Sequence, residues 1–230
     1  MLKKDLAQRL FYLDPKGKFW ARHGRNVDYF LGKENCVFKN ERKLTITYAV
    51  GGAGAQKEIG EKIVYSLKDK LKAGEVKLNL VAGVRKEVFD YFNTVKNKID
   101  PECESIKIIY SDSLPRYFDL FNDSLHDTDI LWTKPSELSF YCALGLPIIM
   151  SPTIGSQEKF NRKWLREIQA ALKQVNPEYT DQWLRDLLNR GTLAESAWDG
   201  FLKVRKLGTF NIKQVLKNGF LEKQTDPVLR

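Results

Sequence analysis

The chain has 230 residues, 43% of them apolar, and carries 38 Lys+Arg against 29 Asp+Glu, a net charge of +9. That length and apolar content exclude a disordered chain, and Gly and Pro are too sparse for a fibrous one. The longest apolar run, around Leu146–Met150, is far short of the roughly 20 residues of a membrane span.

In chain order, Leu2, Leu6, Leu10 and Leu13 lie at helical spacing, and Asp14-Pro15-Lys16-Gly17 reads as a turn before a second amphipathic stretch, Phe19 to Leu31. The pattern then changes. Leu44 to Val50 is a β-branched run that ends on Gly51-Gly52-Ala53-Gly54, and Ile59, Ile63, Leu67 and Leu71 mark a helix closing at Gly74. The unit repeats as strand Val76–Val81, helix Val84–Ile99, strand Ile106–Tyr110 and helix Leu114–Leu125. It continues as strand Asp129–Trp132, helix Ser136–Leu144, strand Pro147–Met150 and helix Gln157–Leu172. Five short strands alternating with helices predict an α/β fold, a doubly wound, Rossmann-like parallel sheet. Beyond Pro177 only helices are expected, over Tyr179–Asn189, Ala194–Arg205 and Ile212–Lys217. The domain division is therefore a helical connector at 1–42, the α/β core at 43–172, and a helical extension of that core at 173–230.

The charge is uneven. Residues 1–43 carry 11 basic and 5 acidic side chains, residues 44–150 carry 13 and 15, and residues 151–230 carry 14 and 9. The basic flanks show no stripe interleaved with aromatics across the core elements, no zinc-finger spacing and no RNP-like signature, so no nucleic-acid partner is expected. Solubilising lysines, an anionic small molecule and peripheral contact with an anionic membrane remain as explanations. The N-terminal residues mix charges and hold no secretory h-region, and Cys36, Cys103 and Cys142 form neither a disulfide framework nor a zinc knuckle. A cytoplasmic location is expected.

In open parallel sheets, ligands bind outside the carboxyl ends of the strands, so the strand-to-helix loops carry the chemistry. Glycines at 51, 52 and 54 before a helix suit a phosphate, which needs close backbone approach and free N–H groups. No Walker A string exists. A dinucleotide fingerprint would need Gly where Lys57 stands and an acid at the end of the second strand, where the chain reads Leu80-Val81-Ala82-Gly83. The missing acid counts equally against methyltransferases that use the same ribose contact. There is no G-x-S-x-G, and of the two histidines neither belongs to a metal-spaced cluster. His126, beside Asp127 and Asp129, falls before the fourth strand, at the end of the sheet away from ligands, and reads as a surface-loop residue. Neither a cofactor nor a metal is required.

The stretch from Asp129 to Asn161 is the most informative. Lys134 ends a strand, Pro135-Ser136 opens a helix with Glu137 in its first turn, and Gly145 closes it. After the next strand comes Gly155-Ser156-Gln157-Glu158, followed by Asn161 on the same helical turn. With the loop at 51–54, Thr133-Lys134-Pro135 and Ala143-Leu-Gly-Leu-Pro-Ile-Ile149, this resembles the C-terminal, donor-binding half of GT-B glycosyltransferases. The similar groups are the peptidoglycan N-acetylglucosaminyltransferases and the galactolipid synthases, and the likeness covers roughly residues 43–172.

The resemblance implies a nucleotide-sugar donor, with a UDP-sugar favoured, and transfer of a hexosyl group to an acceptor. It implies a diphosphate beside Gly51, Gly52 and Gly54, a base held by backbone near Tyr110 and Ser111, and sugar hydroxyls met by Gln157, Glu158 and Asn161. Gly155 and Ser156 belong to the same loop, and Lys134 with Ser136 would face the donor, the lysine helping to stabilise the departing diphosphate. The family's ribose-binding Glu falls at Phe140, in a loop about two residues shorter; Glu137, one turn earlier, is the carboxylate that could replace it. An acceptor-binding domain or partner subunit is implied, since one Rossmann-like domain makes half of such a site, and a catalytic residue is not identified here. Two alternatives stay open: a non-catalytic nucleotide- or sugar-binding module, and a sugar-nucleotide epimerase of GT-B shape.

Overall fold

A computed structural model describes residues 2–38, 42–51, 54–136 and 138–222. Helices α1 (Leu2–Leu13) and α2 (Lys18–Leu31) come first, and the alternating region follows. It runs β1 (Leu44–Ala49), α3 (Lys57–Ser66), α4 (Lys68–Lys72), β2 (Val76–Gly83), α5 (Lys86–Ile99) and β3 (Ile106–Tyr110). It continues with α6 (Leu114–Asp127), β4 (Ile130–Thr133), α7 (Leu138–Ala143), β5 (Ile148–Met150), α8 (Ser156–Glu167) and β6 (Ala171–Lys173). Helices α9 (Thr180–Arg190), α10 (Thr192–Lys203) and α11 (Gly208–Asn218) end the described chain.

The strands form one all-parallel sheet in the order β3-β2-β1-β4-β5-β6. The chain winds outward from β1 to β3, then returns to place β4 against the free side of β1. This is the doubly wound order expected from the sequence. Both faces of the sheet are covered, so its strands read as continuous apolar runs rather than alternating ones. Successive residues still divide between the faces: Ile130, Trp132 and Ile149 join one apolar cluster, Leu131, Ile148 and Met150 the other. The first cluster holds Tyr48, Phe92, Phe19 and Phe201, and includes the leucines of α1.

Helix α1 is bound tightly to this core. Leu6, Leu10 and Leu13 are fully buried, and Leu6 sits on Gly145, which has φ +67 and where a Cβ would come within 2.5 Å of Leu6 Cδ1. The glycine of Gly145-Leu-Pro therefore serves the docking of α1. Beside it the buried Arg9 donates from Nε to Thr128 O (2.7 Å), from Nη1 to Leu144 O (2.9 Å) and from Nη2 to Leu125 O (3.2 Å). Burial pulls its guanidinium down to about 10, and the nearby Asp129 and Asp5 oppose that fall, so it stays charged at neutral pH.

One boundary departs from the sequence reading. The helix expected over 157–172 stops at Glu167, and Ala171–Lys173 forms a sixth strand paired with β5. The stop is a Schellman turn: Gln169 takes φ 63, Ala170 N–H reaches Leu165 O at 3.0 Å and Gln169 N–H reaches Arg166 O at 3.1 Å. Gln occupies the left-handed position that usually holds glycine, so the ordinary stop signal is missing. Three residues with an Ala and a Lys also carry no strand pattern. Tertiary contact decides the matter, because the Ala170 methyl packs where Gly200 of α10 leaves room.

Replacing Arg9 by Met should leave Leu125, Thr128 and Leu144 carbonyls without their donors and lower stability by about 3 kcal/mol. Urea unfolding monitored by tryptophan fluorescence measures this.

Candidate functional site

β1 and β4 are neighbours whose connections leave in opposite directions, so a cleft opens at their carboxyl ends. A cavity of about 550 Å³ occupies it. Its floor is formed by Val50, Gly51, Gly83 and Thr133, with Arg85, Lys134 and Ser136 at the polar side. The opposite wall is aromatic, with Tyr117, Phe118 and Phe121 from α6 and Phe140 and Tyr141 from α7. Its described lining includes two cations and no Asp, Glu or His.

Gly54 closes the glycine turn by donating to Gly51 O (2.7 Å). Gly54 has φ +72, and a Cβ there would lie 2.9 Å from Val88 Cγ2, so both conformation and space require glycine. Gly51 is needed for a different reason. The stem of Lys134 crosses it, and a Cβ would meet Lys134 Cε at 2.6 Å. Gly52 and Glu137, both expected at the site, lie outside the described residues.

Lys134 reaches from the end of β4 to α8, where its Nζ is 2.9 Å from Glu158 Oε1. Glu158 Oε2 accepts the Ile154 N–H at 2.7 Å, so this carboxylate closes the turn that begins its own helix. Burial pushes Glu158 up, but the Ile154 N–H and the Lys134 ammonium outweigh it and hold the carboxyl below its ordinary value. Asn161 Nδ2 donates to Ser136 O (2.8 Å) and Pro135 O (3.2 Å), pinning α8 to the loop after β4. Gln56, left-handed at φ 69, donates from Nε2 to Pro152 O (2.9 Å) and links the β1 and β5 loops.

The structure thus gathers Gly51, Lys134 and Ser136 into the cavity, with Glu158 and Asn161 bound directly behind them. Gly155 precedes α8, and Ser156 and Gln157 are exposed on its first turn. Tyr110 and Ser111 lie one strand further out. The Tyr110 ring packs on Phe89 at 4.9 Å, and Ser111 Oγ accepts the Ser113 N–H at 3.1 Å; neither lines the cavity. His126 is at the far end of the sheet, in the last turn of α6 rather than a loop, with Nδ1 2.7 Å from Asp5 Oδ2. Asp129 is fully buried there and bidentate with Arg42 at 2.6 and 2.7 Å.

Arg85 and the aromatic wall were not anticipated. Arg85 precedes α5 directly after the second strand, with its Nη1 3.6 Å from Glu87 Oε1. A cation at that strand end was the available signal. Tyr117 and Phe121 repeat at i and i+4, which by periodicity reads as an ordinary core face.

No family model matches the chain, and no curated protein does. Among solved structures, one similar chain is a Listeria monocytogenes protein assigned as a UDP-N-acetylglucosamine 2-epimerase. It is 15% identical, with a TM-score of 0.49, over 82% of this chain and 48% of that one. Another is the S. aureus MnaA–UDP co-structure, 16% identical, with a TM-score of 0.47, over 81% of this chain and 49% of that one. The chain spans about half the length of each. Both scores are below 0.5, and the fold assignment rests on the sheet order itself.

The depressed Glu158 carboxyl gives a pH signature. Its contribution to stability is complete above the unfolded value of about 4.3 and is lost as pH falls through the lower folded value. Thermal midpoints between pH 3 and 7 should therefore fall less steeply below pH ~4 in Glu158→Gln than in the parent protein.

Proposed function

We propose that this chain is the nucleotide-sugar-binding half of a GT-B glycosyltransferase that takes a UDP-sugar. The observation that carries the reading is the cavity at the β1/β4 switch point, where a glycine turn and two cations, Arg85 and Lys134, meet an aromatic wall. A diphosphate suits the cationic side, and glycines at 51, 52 and 54 would let the backbone approach its oxygens. The rings of α6 and α7 give a flat base an apolar surface worth about 1–3 kcal/mol of stacking. This supports placing the base against α6 rather than at Tyr110 and Ser111, which do not line the cavity. Gln157, Ser156 and Gly155 would meet the sugar, and Glu137 the ribose. Glu158 is engaged by Lys134 and Ile154, so a sugar hydroxyl would share its remaining lone pairs.

In transfer, negative charge grows on the departing diphosphate. Preorganised cations and N–H groups at that position lower the barrier. A general base must stand within hydrogen-bond reach of the attacking hydroxyl. The described cavity lining offers no carboxylate or imidazole, which supports a base supplied by an acceptor-binding domain or subunit. The same feature is compatible with a binding module that does no chemistry, and the donor site would equally serve a sugar-nucleotide epimerase.

Calorimetry with UDP, UDP-sugars, GDP-sugars and NAD tests the donor assignment. UDP and UDP-sugars should bind and NAD should not; absence of binding by every UDP and GDP species overturns the proposal. Lys134→Ala, and Gly51→Ala by displacing the lysine, should each weaken UDP about tenfold. Incubation with UDP-N-acetylglucosamine alone, followed by NMR, should return it unchanged, whereas an epimer would select the epimerase reading.

A further inference from the structure

Helix α8 turns toward solvent a surface that the cavity does not use. Glu158 and Leu165 face inward, while Lys159, Arg162, Lys163 and Arg166 recur at i, i+3, i+4 and i+7 along one outer side around a shallow groove. Beside this basic row stand Phe160, 76% exposed, and Trp164, 38% exposed, one helical turn apart, so α8 does carry a basic stripe beside aromatics, contrary to the expectation from the sequence pattern. Ile154, 63% exposed in the preceding loop, adds an aliphatic side chain. The one carboxylate described against the row is Glu167, a loose 3.8 Å from Lys163. A merely solvated face would carry mixed charges, and contiguous exposed rings beside one sign of charge mark an interaction surface.

Four cations beside an apolar row select an anionic partner with a greasy interior. Ile154 favours lipid over nucleic acid, because isoleucine offers a base no π-face to stack on. A second helix of the same character follows α10 in the chain. Gln169, just past α8, accepts the Lys203 ammonium at 2.9 Å, and Lys203 ends α10. From there the chain enters α11, which buries no residue and exposes Ile212 and Leu216 with Lys213 and Lys217. No helix among the described residues is long and apolar enough to cross a membrane, so the contact is peripheral.

We propose that the outer face of α8 docks on an anionic lipid bilayer, with Phe160, Trp164 and Ile154 at the headgroup–acyl boundary and the basic row on lipid phosphates. The proposal stands independently of which nucleotide the cavity takes.

Flotation of the full chain with vesicles tests it. Binding should occur with phosphatidylcholine mixed with phosphatidylglycerol, be negligible with phosphatidylcholine alone, and weaken with added salt. Phe160→Ser with Trp164→Ser should lower partitioning about tenfold or more, as should Lys159→Gln with Lys163→Gln. The lysine pair keeps every apolar contact of α8, and urea midpoints identify any variant that has lost its fold. No vesicle binding, equal binding to neutral vesicles, or two folded variants that bind like the parent overturns the proposal. So does binding to a single-stranded oligonucleotide in place of vesicles.

Discussion

One guanidinium ties the N-terminal helix to the chain that leads into two central strands. Arg9 leaves α1 and donates to carbonyls of Leu125, Thr128 and Leu144, at the ends of the two helices that lead into β4 and β5. Those carbonyls have no intrahelical partner, and a buried cation is tolerated only where several acceptors surround it. The two deficits cancel each other. Because β4 pairs with β1, the position of β4 sets the switch point, and the cavity at its opposite end inherits that placement.

At the carboxyl end the electrostatics have the opposite purpose. Lys134 is held over Gly51 by Glu158, whose second oxygen is itself occupied by the Ile154 N–H. A cation fixed in this way presents its charge toward the cavity without reorganising when an anion arrives. The arrangement also joins three loops, since Asn161 and Gln56 tie the starts of α7, α8 and α3 together.

Short apolar runs and period-3.6 patterns made nearly every strand and helix legible, because burial on both faces of the sheet leaves a strong apolar signal in each strand. Where the signal failed, the cause was local. β6 is three residues long, and Gln169 ends α8 in a conformation normally marked by glycine. The helix expected from Ile59 to Leu71 likewise divides at Leu67 into α3 and α4, yet both halves keep the expected buried face.

Local pattern alone determined the class of fold, since the alternation of strands and helices depends only on order along the chain. Only the tertiary structure decided what the glycines are for. Gly51 clears the stem of Lys134 and Gly145 receives Leu6, contacts between residues 83 and 139 positions apart that no local pattern encodes. The same holds for Arg85 and the rings of α6, which become a site only when the switch point brings separate strand ends together.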